Sequence, residues 1–249
     1  MNEKKTILVG ELHQDLFYKT DYFTKLGKAL ASGIQTLLKE ENRKEELNKK
    51  SLYKAILKII NDTDKKIPGE TYIKRGGNGN NSAMLINKLG IPTQLMTTIG
   101  NGHEWILPEI EKMGIDTSTI YKKKERGPIS TIVEDPNATK IFVAPNLKKH
   151  MNFEGINIQT SVFNDSKIVF FTPLAQKYVG ILEMVHDLDL ITAVTIEMQK
   201  IKNQTQLESC LTQRVDVLFA NLNDLAKILG HDTLENTQKA LEKRVQIVE

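Results

Sequence analysis

A run of glycine and asparagine decides the fold: Gly76-Gly77-Asn78-Gly79-Asn80-Asn81. It follows a strand-like segment at residues 71–74 and precedes a helical pattern that stops at Gly90. Glycine lets the backbone approach a ligand closely, and asparagine offers neutral donors and acceptors suited to hydroxyl groups. The two common nucleotide fingerprints are absent from this run. We therefore expect a loop for a polyol or sugar more than for a phosphate, with a plain turn capping the next helix as the alternative.

Upstream of this run, Ile7-Leu8-Val9-Gly10 has the pattern of a buried first strand that ends in a loop. Residues 11–15 then follow the carboxyl end of that strand. Ligands of open α/β sheets bind at this edge because the loops of several parallel strands meet there. Position alone makes Asp15 a candidate binding residue, and His13 has an even chance of contacting a ligand.

Downstream, apolar strands alternate with helical patterns, which indicates an α/β fold with a largely parallel sheet. Segments of alternating polarity at 129–133 and 140–144 suit a small antiparallel layer. The remaining elements are strands at 93–99, 168–171, 190–196, 215–219 and 245–248 and helices at 105–112, 178–186, 206–211, 222–229 and 234–243.

Residues 22–39 and 52–59 carry apolar side chains at helical spacing, which predicts a helical pair. Residues 19–66 hold 12 of the 34 Lys and Arg but only 7 of the 31 Asp and Glu. We interpret this basic segment as a solvated face, with a surface for a protein partner or a phosphate as the alternative. The formal net charge of +3 argues against a general nucleic-acid binder.

The remaining candidates are weaker. A single cysteine, Cys210, excludes an internal disulfide, and the N-terminus shows no signal peptide or membrane span, so we expect a soluble cytoplasmic protein without membrane contact. Trp105 is more typical of a core residue than of a stacking platform. The run His186-Asp187-Leu188-Asp189 is commoner as a solvated helix cap than as a metal site.

Several motifs in order resemble the ribokinase-like PfkB family of carbohydrate and nucleoside kinases. The resemblance covers roughly residues 5–18 and 67–249. Its motifs are Gly10-Glu11-Leu12-His13-Gln14-Asp15-Leu16, the run from Gly76 to Ala83 with Leu89-Gly90, Ile99-Gly100, Gly114-Ile115-Asp116-Thr117-Ser118, Ala144-Pro145-Asn146 and Asp216-Val217-Leu218-Phe219-Ala220-Asn221-Leu222-Asn223-Asp224.

The resemblance implies a ribokinase-like three-layer α/β sandwich in one domain, residues 1–249. Its central sheet is largely parallel. Residues 70–77 and 119–146 correspond to a small β lid that covers the substrate, and in many members this lid forms a dimer contact. Residues 19–66 have no counterpart of that length, so we treat them as an inserted helical pair.

The resemblance also implies the site. Asp15 matches the aspartate that hydrogen-bonds substrate hydroxyls, and a carboxylate that accepts from two hydroxyls orients a sugar strongly. Asn221 and Asp224 match the pair that places magnesium and phosphate, with Asp224 as the metal residue and aspartate in place of the family's glutamate. The loop that closes over the sugar corresponds to Gly76, Gly77, Asn78 and Asn81. The implied reaction is ATP-dependent, Mg²⁺-assisted phosphorylation of a sugar or nucleoside hydroxyl.

Three departures bear on activity. Gly100-Asn101-Gly102 replaces the usual Gly-Asp-Asp, and Glu197-Met198-Gln199 replaces an Asp-Pro-Asn-like stretch. No Gly-Ala-Gly-Asp element, which supplies the family's anion hole and general base, follows Asn221, so we assign no catalytic residue.

We therefore expect an incomplete kinase domain that is inactive alone. The catalytic segment would then come from a separate chain. The alternatives are a non-catalytic sugar-binding or scaffold protein that uses the lid and the basic insert for partners, and a decayed remnant.

Overall fold

A computed structural model describes residues 4–40, 49–62, 67–136, 140–143, 151–197, 215–221, 223, 224 and 226. The chain divides into two compact units. The larger unit comprises residues 1–14, 75–128 and 146–249, and the smaller comprises 15–74 and 129–145.

A six-stranded parallel sheet forms the centre of the larger unit, in the order β10-β9-β8-β1-β4-β5. These strands alternate with helices along the chain, as the apolar pattern predicts. The elements are β1 (Lys5–Gly10), α3 (Asn78–Lys88), β4 (Thr93–Asn101), α4 (Ile106–Lys112), β5 (Ile120–Arg126), β8 (Ser166–Thr172), α5 (Val179–His186), β9 (Ile191–Ile196) and β10 (Val217–Ala220).

Helices cover both faces of this sheet, so it forms the middle of three layers. On β1, Ile7 and Val9 pack in one hydrophobic cluster with Leu182 and Val185 of α5. Leu8, between them, points to the opposite face and packs with residues of α3 and α4. Because both faces are buried, β1 reads as a continuous apolar run, as parallel strands do. The predicted α/β sandwich with a parallel central sheet is confirmed.

A four-stranded sheet in the order β3-β2-β6-β7 carries the smaller unit. Two helices, α1 and α2, lie within the inserted segment 19–66 and fall in the two predicted helical stretches. The elements are β2 (His13–Lys19), α1 (Tyr22–Glu40), α2 (Lys49–Asp62), β3 (Glu70–Gly76), β6 (Ile129–Glu134) and β7 (Ile141–Val143).

Two positions differ from expectation. Asp15 lies on β2 of the small sheet and not in a loop after β1, because only Glu11 and Leu12 separate the two strands. Residues 120–126, assigned above to the lid, form β5, which pairs in parallel with β4 of the large sheet. β5 is an edge strand and is partly solvated, so its alternation of polar and apolar residues looks like that of a lid strand.

Several other predictions lie outside the described residues. They are Cys210, the Ala144-Pro145-Asn146 motif, the helices at 206–211 and 234–243, and the strand at 245–248. No helix among the described ranges combines the length and the apolar character that a membrane crossing requires.

Candidate functional site

The strand order of the large sheet reverses at its centre. From β1 the chain crosses to β4 and β5 on one side, and from β8 it crosses to β9 and β10 on the other. The neighbouring carboxyl ends of β1 and β8 therefore form a topological switch point, the place where open α/β sheets bind ligands. Gly10 and Thr172 are paired at these ends.

Glycines bring the start of α3 directly against the end of β1. A Cβ atom built on Gly79 would lie 2.7 Å from the carbonyl carbon of Gly10, and one on Gly10 would lie 2.4 Å from the carbonyl oxygen of Thr172. Gly77 has φ of 99°, which favours glycine, and a Cβ there would lie 2.2 Å from the carbonyl oxygen of Glu11. A side chain at any of these positions would require the neighbouring backbone to move.

The predicted loop at 76–81 is shorter than expected. α3 begins at Asn78, so Asn78, Asn80 and Asn81 belong to its first turn, and Gly76 and Gly77 precede it. The two glycines make the turn and the asparagines open the helix, while the binding of a polyol or sugar by this run stays a prediction. The close backbone approach at Gly79 starts the helix earlier than the poor helix propensity of glycine and asparagine predicts.

The polar groups of this first turn have specific partners. Asn78 donates a hydrogen bond from Nδ2 to Oε1 of Glu197 at 2.5 Å, and Glu197 follows β9 directly. The backbone N–H of Asn80 donates to the carbonyl oxygen of Glu11 at 3.2 Å. The N–H of Asn81 donates to the carbonyl oxygen of Gly77 at 3.0 Å, and the Asn81 side chain is exposed.

An ion pair lies beside this turn. Lys177 Nζ is 3.0 Å from Oε1 of Glu11 and donates to the carbonyl oxygen of Met151 at 3.3 Å. Both charged side chains are largely buried, with relative exposures of 19% for Lys177 and 12% for Glu11. Lys177 also lies 5.0 Å from the ring centre of Tyr178, where burial first and the negative charge of Glu11 second raise the pKa of the phenol well above its usual value.

The same residues line a small cleft at the end of β1. It is formed by Glu11, Leu12, His13, Thr97, Thr98, Pro128, Met151, Lys177 and Tyr178. Lys177 was not singled out in the sequence, although Glu11 and Glu197 stand at strand ends, where the parallel-sheet rule indicates ligand contacts. Lys177 is 166 residues from its partner Glu11, so the sequence spacing did not indicate this ion pair.

His13, Gln14, His103 and Trp105 form a second polar group in the larger unit. His13 is buried and lines the cleft, and His103 is buried too. Burial and the neighbouring charge of His13 lower the pKa of His103, with Arg126 adding to this and Glu104 opposing it. Trp105 is 38% exposed and donates from Nε1 to Oε1 of Gln14 at 3.4 Å, so the prediction of a core tryptophan is wrong. It precedes α4, whose buried residues Ile106 and Ile110 point into the core.

Asp15 is the one predicted substrate residue that belongs to the smaller unit. It is half-buried on β2, one residue after Gln14. Asp15 makes at least one interaction in the structure.

Asn221 and Asp224 bond to each other. Asn221 Nδ2 donates to Oδ2 of Asp224 at 2.6 Å, and the backbone N–H of Asp224 donates to Oδ1 of Asn221 at 2.8 Å. This reciprocal arrangement is that of a residue capping a helix start with help from the third residue of the helix. The amide hydrogens face the carboxylate that a magnesium ion would need, so the pair as it stands does not fit a metal site.

A metal centre finds no other support in the described part of the chain. No group of three or more His, Cys, Asp or Glu residues there could hold a metal ion. His186, Asp187 and Asp189 are all exposed, and His186 ends α5. Their position agrees with the expected solvated cap.

Comparisons with known proteins follow the same fold. The Giardia lamblia ribokinase structure matches with a TM-score of 0.67 at 13% identity, covering 96% of this chain and 68% of that one. The Arabidopsis thaliana ribokinase complexed with ribose and ATP matches with a TM-score of 0.62 at 15% identity, covering 97% and 68%. The Methanocaldococcus jannaschii nucleoside kinase matches with a TM-score of 0.60 at 15% identity, covering 96% and 69%.

The two sequence comparisons give different results. The search of curated proteins returns no match. Residues 53–248 match the family described as pfkB family carbohydrate kinase, which is more than half of the chain. The chain belongs to the PfkB family of carbohydrate kinases.

Proposed function

We propose that this chain binds the hydroxyl-bearing acceptor of a carbohydrate kinase reaction, a sugar or a nucleoside. The observation that carries the proposal is the contact of Gly77 and Gly79 with the end of β1. It holds the first turn of α3 at the switch point of the sheet, with Asn78 as a side chain able to bind a hydroxyl. Gly76, Gly77, Asn78 and Asn81 are the proposed binding residues of this turn.

Asp15 is proposed as an acceptor of hydrogen bonds from substrate hydroxyls. Replacing Asp15 by alanine should weaken sugar binding by about tenfold or more, because a charged acceptor contributes about 1.5–3 kcal/mol. Asp21→Ala, at an exposed residue of the same unit, is the matched control. Calorimetry that finds unchanged sugar affinity in Asp15→Ala contradicts this assignment.

ATP is the proposed phosphoryl donor and Mg²⁺ its metal. The support is the family and two solved relatives, one named with ATP and ribose and one, the Cryptococcus neoformans ribokinase, named with ADP. When bound, the metal would neutralise charge on the phosphates. The roles of Asn221 and Asp224 toward metal and phosphate stay predictions, since their mutual bonds would first have to open.

The step that this chain performs is the orientation of the acceptor. The Asn78 amide binds its hydroxyls beside the cleft, whose lining includes the apolar side chains of Leu12 and Met151. No Gly-Ala-Gly-Asp segment occurs in the 249 residues. General-base catalysis contributes about 10²–10⁴-fold to a rate. We therefore propose that these 249 residues by themselves bind the acceptor without measurable transfer.

The test combines binding and turnover. Calorimetry should detect D-ribose or adenosine, and ADP formation should stay at background until a polypeptide bearing Gly-Ala-Gly-Asp is added. Asn78→Ala should abolish the binding, whereas Asn164→Ala, at an exposed asparagine of the same unit, should leave it intact. ADP formation by the chain alone would contradict the proposed inactivity, and no binding of any sugar or nucleoside would contradict the acceptor site.

The alternative is a non-catalytic binding protein, and one observation favours it. Tyr53, Leu57 and Ile60 of α2 are 62%, 39% and 45% exposed and lie on one side of the helix. Exposed lysines, Lys54 and Lys58, stand next to them. An apolar stripe beside positive charge fits an acidic protein partner. Two results together would favour this function over the kinase. The chain would bind sugar without turnover even when a polypeptide bearing Gly-Ala-Gly-Asp is added, and it would capture an acidic partner that Leu57→Glu no longer captures.

A further inference from the structure

The carboxyl end of the large sheet carries two glutamates close to the proposed acceptor site. Glu11 follows β1, and its carbonyl oxygen accepts from the N–H of Asn80. Glu197 follows β9, and its carboxylate accepts from the amide of Asn78 at 2.5 Å. Both glutamates therefore contact the first turn of α3, Glu11 through its backbone carbonyl oxygen and Glu197 through its carboxylate.

Positive charge at this place is already neutralised. Lys177 is the one lysine or arginine among the residues that line the cleft, and it lies 3.0 Å from the carboxylate of Glu11. It is held further by the carbonyl oxygen of Met151. A phosphate group here would have to compete with Glu11 for Lys177, while Glu197 adds a second negative charge.

One of the N–H groups at the start of α3 is also occupied by Glu11. A helix N-terminus attracts phosphate through its unpaired N–H groups. In α3 one of these groups, the N–H of Asn80, already donates to the carbonyl oxygen of Glu11. The Glu197 carboxylate, bonded to the Asn78 side chain, adds a negative charge beside this helix start.

The orientation of the Asn78 side chain also argues against a phosphate. A carboxylate only accepts hydrogen bonds, so Glu197 requires the NH₂ group of Asn78 to face it. Oδ1 of Asn78 is then turned away from Glu197, as an acceptor for a hydroxyl group. Glu197 is thus a positioning residue that selects a ligand with donor hydroxyls.

From these charges we infer that the acceptor is uncharged, a free sugar or a nucleoside, and not a sugar phosphate. The inference rests on the proposed acceptor site and chooses among the substrates that the family motifs leave open. Two negative charges several ångströms apart near a protein surface repel each other, so we expect a phosphate to weaken binding by at least about tenfold.

Matched pairs of probes test the inference, because each pair differs by one phosphate. Calorimetry compares D-ribose with ribose 5-phosphate, D-fructose with fructose 6-phosphate, and adenosine with its monophosphate. Each ester should bind at least about tenfold more weakly than its parent, and added salt should narrow the difference by screening the charges. An ester that binds as tightly as its parent, or more tightly, overturns the inference and leaves the proposed function standing.

Variants identify the residues responsible. Glu197→Gln removes one negative charge, and Glu11→Gln releases Lys177. Each should therefore reduce the difference in affinity between the parent compound and its phosphate ester, the ester penalty, by about threefold or more. Glu183→Gln, the same change at an exposed residue of α5, should leave the penalty unaltered. If neither Glu197→Gln nor Glu11→Gln changes the ester penalty, these two glutamates are not its cause and this assignment is wrong. If neither parent nor ester binds to the wild-type chain, the proposed function fails and the inference with it.

Discussion

Gly79 shows how one residue sets the position of a whole helix. A Cβ atom built on it would lie 2.7 Å from the carbonyl carbon of Gly10, so even a methyl group would require the end of β1 or the start of α3 to move. In the same helical state, Gly180 of α5 has open space around a built Cβ. We therefore expect alanine substitutions at these two glycines to change the stability of the fold in opposite directions.

We predict that Gly79→Ala lowers the free energy of unfolding by about 1–3 kcal/mol, the usual cost of overpacking. Gly180→Ala should raise it by up to about 1 kcal/mol, because alanine is the better helix former. Urea titration followed by circular dichroism measures both. Equal stability of the two variants would mean that the backbone contact at Gly79 is not tight.

Asp116 is a second residue whose environment gives a prediction. Its carboxylate is 2.5 Å from Nζ of Lys5 and accepts from the N–H of Ser118 at 2.9 Å. Burial works to raise the pKa of this carboxyl, but the hydrogen bonds from Lys5 and Ser118 outweigh it and hold the pKa below the ordinary value of 3.8. The motif residue is thus a link between β1 and the segment after α4.

The pair should stabilise the fold at neutral pH and lose its effect in acid. Because the pKa of Asp116 is lower in the folded than in the unfolded chain, its contribution is complete above pH 3.8 and is lost as the pH falls through the lowered value. Both side chains are partly exposed, so we expect Asp116→Asn to cost about 0.5–1 kcal/mol at neutral pH. Urea titrations from neutral pH to about pH 3 should show this cost shrinking. A cost that is independent of pH, or equal to that of the exposed Asp189→Asn, would exclude the ion pair as its cause.

At the scale of elements, α1 begins on a carboxylate from another part of the smaller unit. Asp135, buried in the turn after β6, accepts from the N–H of Thr24 at 2.8 Å and from its hydroxyl at 2.6 Å. Thr20 adds a second cap by accepting from the N–H of Tyr22 at 3.1 Å. The inserted helix is thereby tied to the small sheet.

Asp135→Ala should therefore loosen α1. Loss of a charged cap costs about 1–2 kcal/mol, which corresponds to exchange of the amide hydrogens in its first turns that is about 5–30 times faster. Hydrogen exchange measured by mass spectrometry reports this locally. Asp135→Asn keeps an acceptor and should show a smaller effect, and Asp21→Asn, at an exposed residue, should show none. Unchanged exchange in Asp135→Ala would contradict the capping role.

Elements differ in how well the sequence predicts them, for physical reasons. β1 and β8 are buried on both faces, so their apolar runs are unambiguous. The first turn of α3 could not be predicted as helix, because glycine and asparagine favour turns and only the tertiary contact with Gly10 overrides them. The sequence also could not predict to which sheet β5 belongs, because an edge strand of either sheet alternates polar and apolar residues.

The candidate site follows the same division. Positions at strand ends, such as Glu11 and Glu197, can be expected from the parallel-sheet rule. Their partners Lys177 and Asn78 come from other elements, so the ion pair and the amide bond depend on the folded chain. The cap formed by Asn221 and Asp224 could have been expected from their spacing alone.

At the scale of the whole molecule, we expect a homodimer through the β lid. β3 is an edge strand of the small sheet, and Ile73 on it is 54% exposed. An edge strand presents unpaired backbone groups that can pair with another chain, and Ile73 adds an exposed apolar side chain there. Ile73→Glu should shift the protein from dimer to monomer in analytical ultracentrifugation, whereas Leu85→Glu, at a similarly exposed residue of α3, should not. A wild-type monomer at every concentration would contradict the expected dimer.

The strand order also sets a sequence of events during synthesis. β1 is made first and lies in the interior of the sheet, between β4 and β8. Ribosomes add about 5–20 residues per second, so roughly 10–30 s pass between the synthesis of β1 and that of β8. For that time one side of the earliest strand has no neighbour. The nascent chain is therefore open to chaperones, and to pairing with other chains, until residues 166–172 emerge.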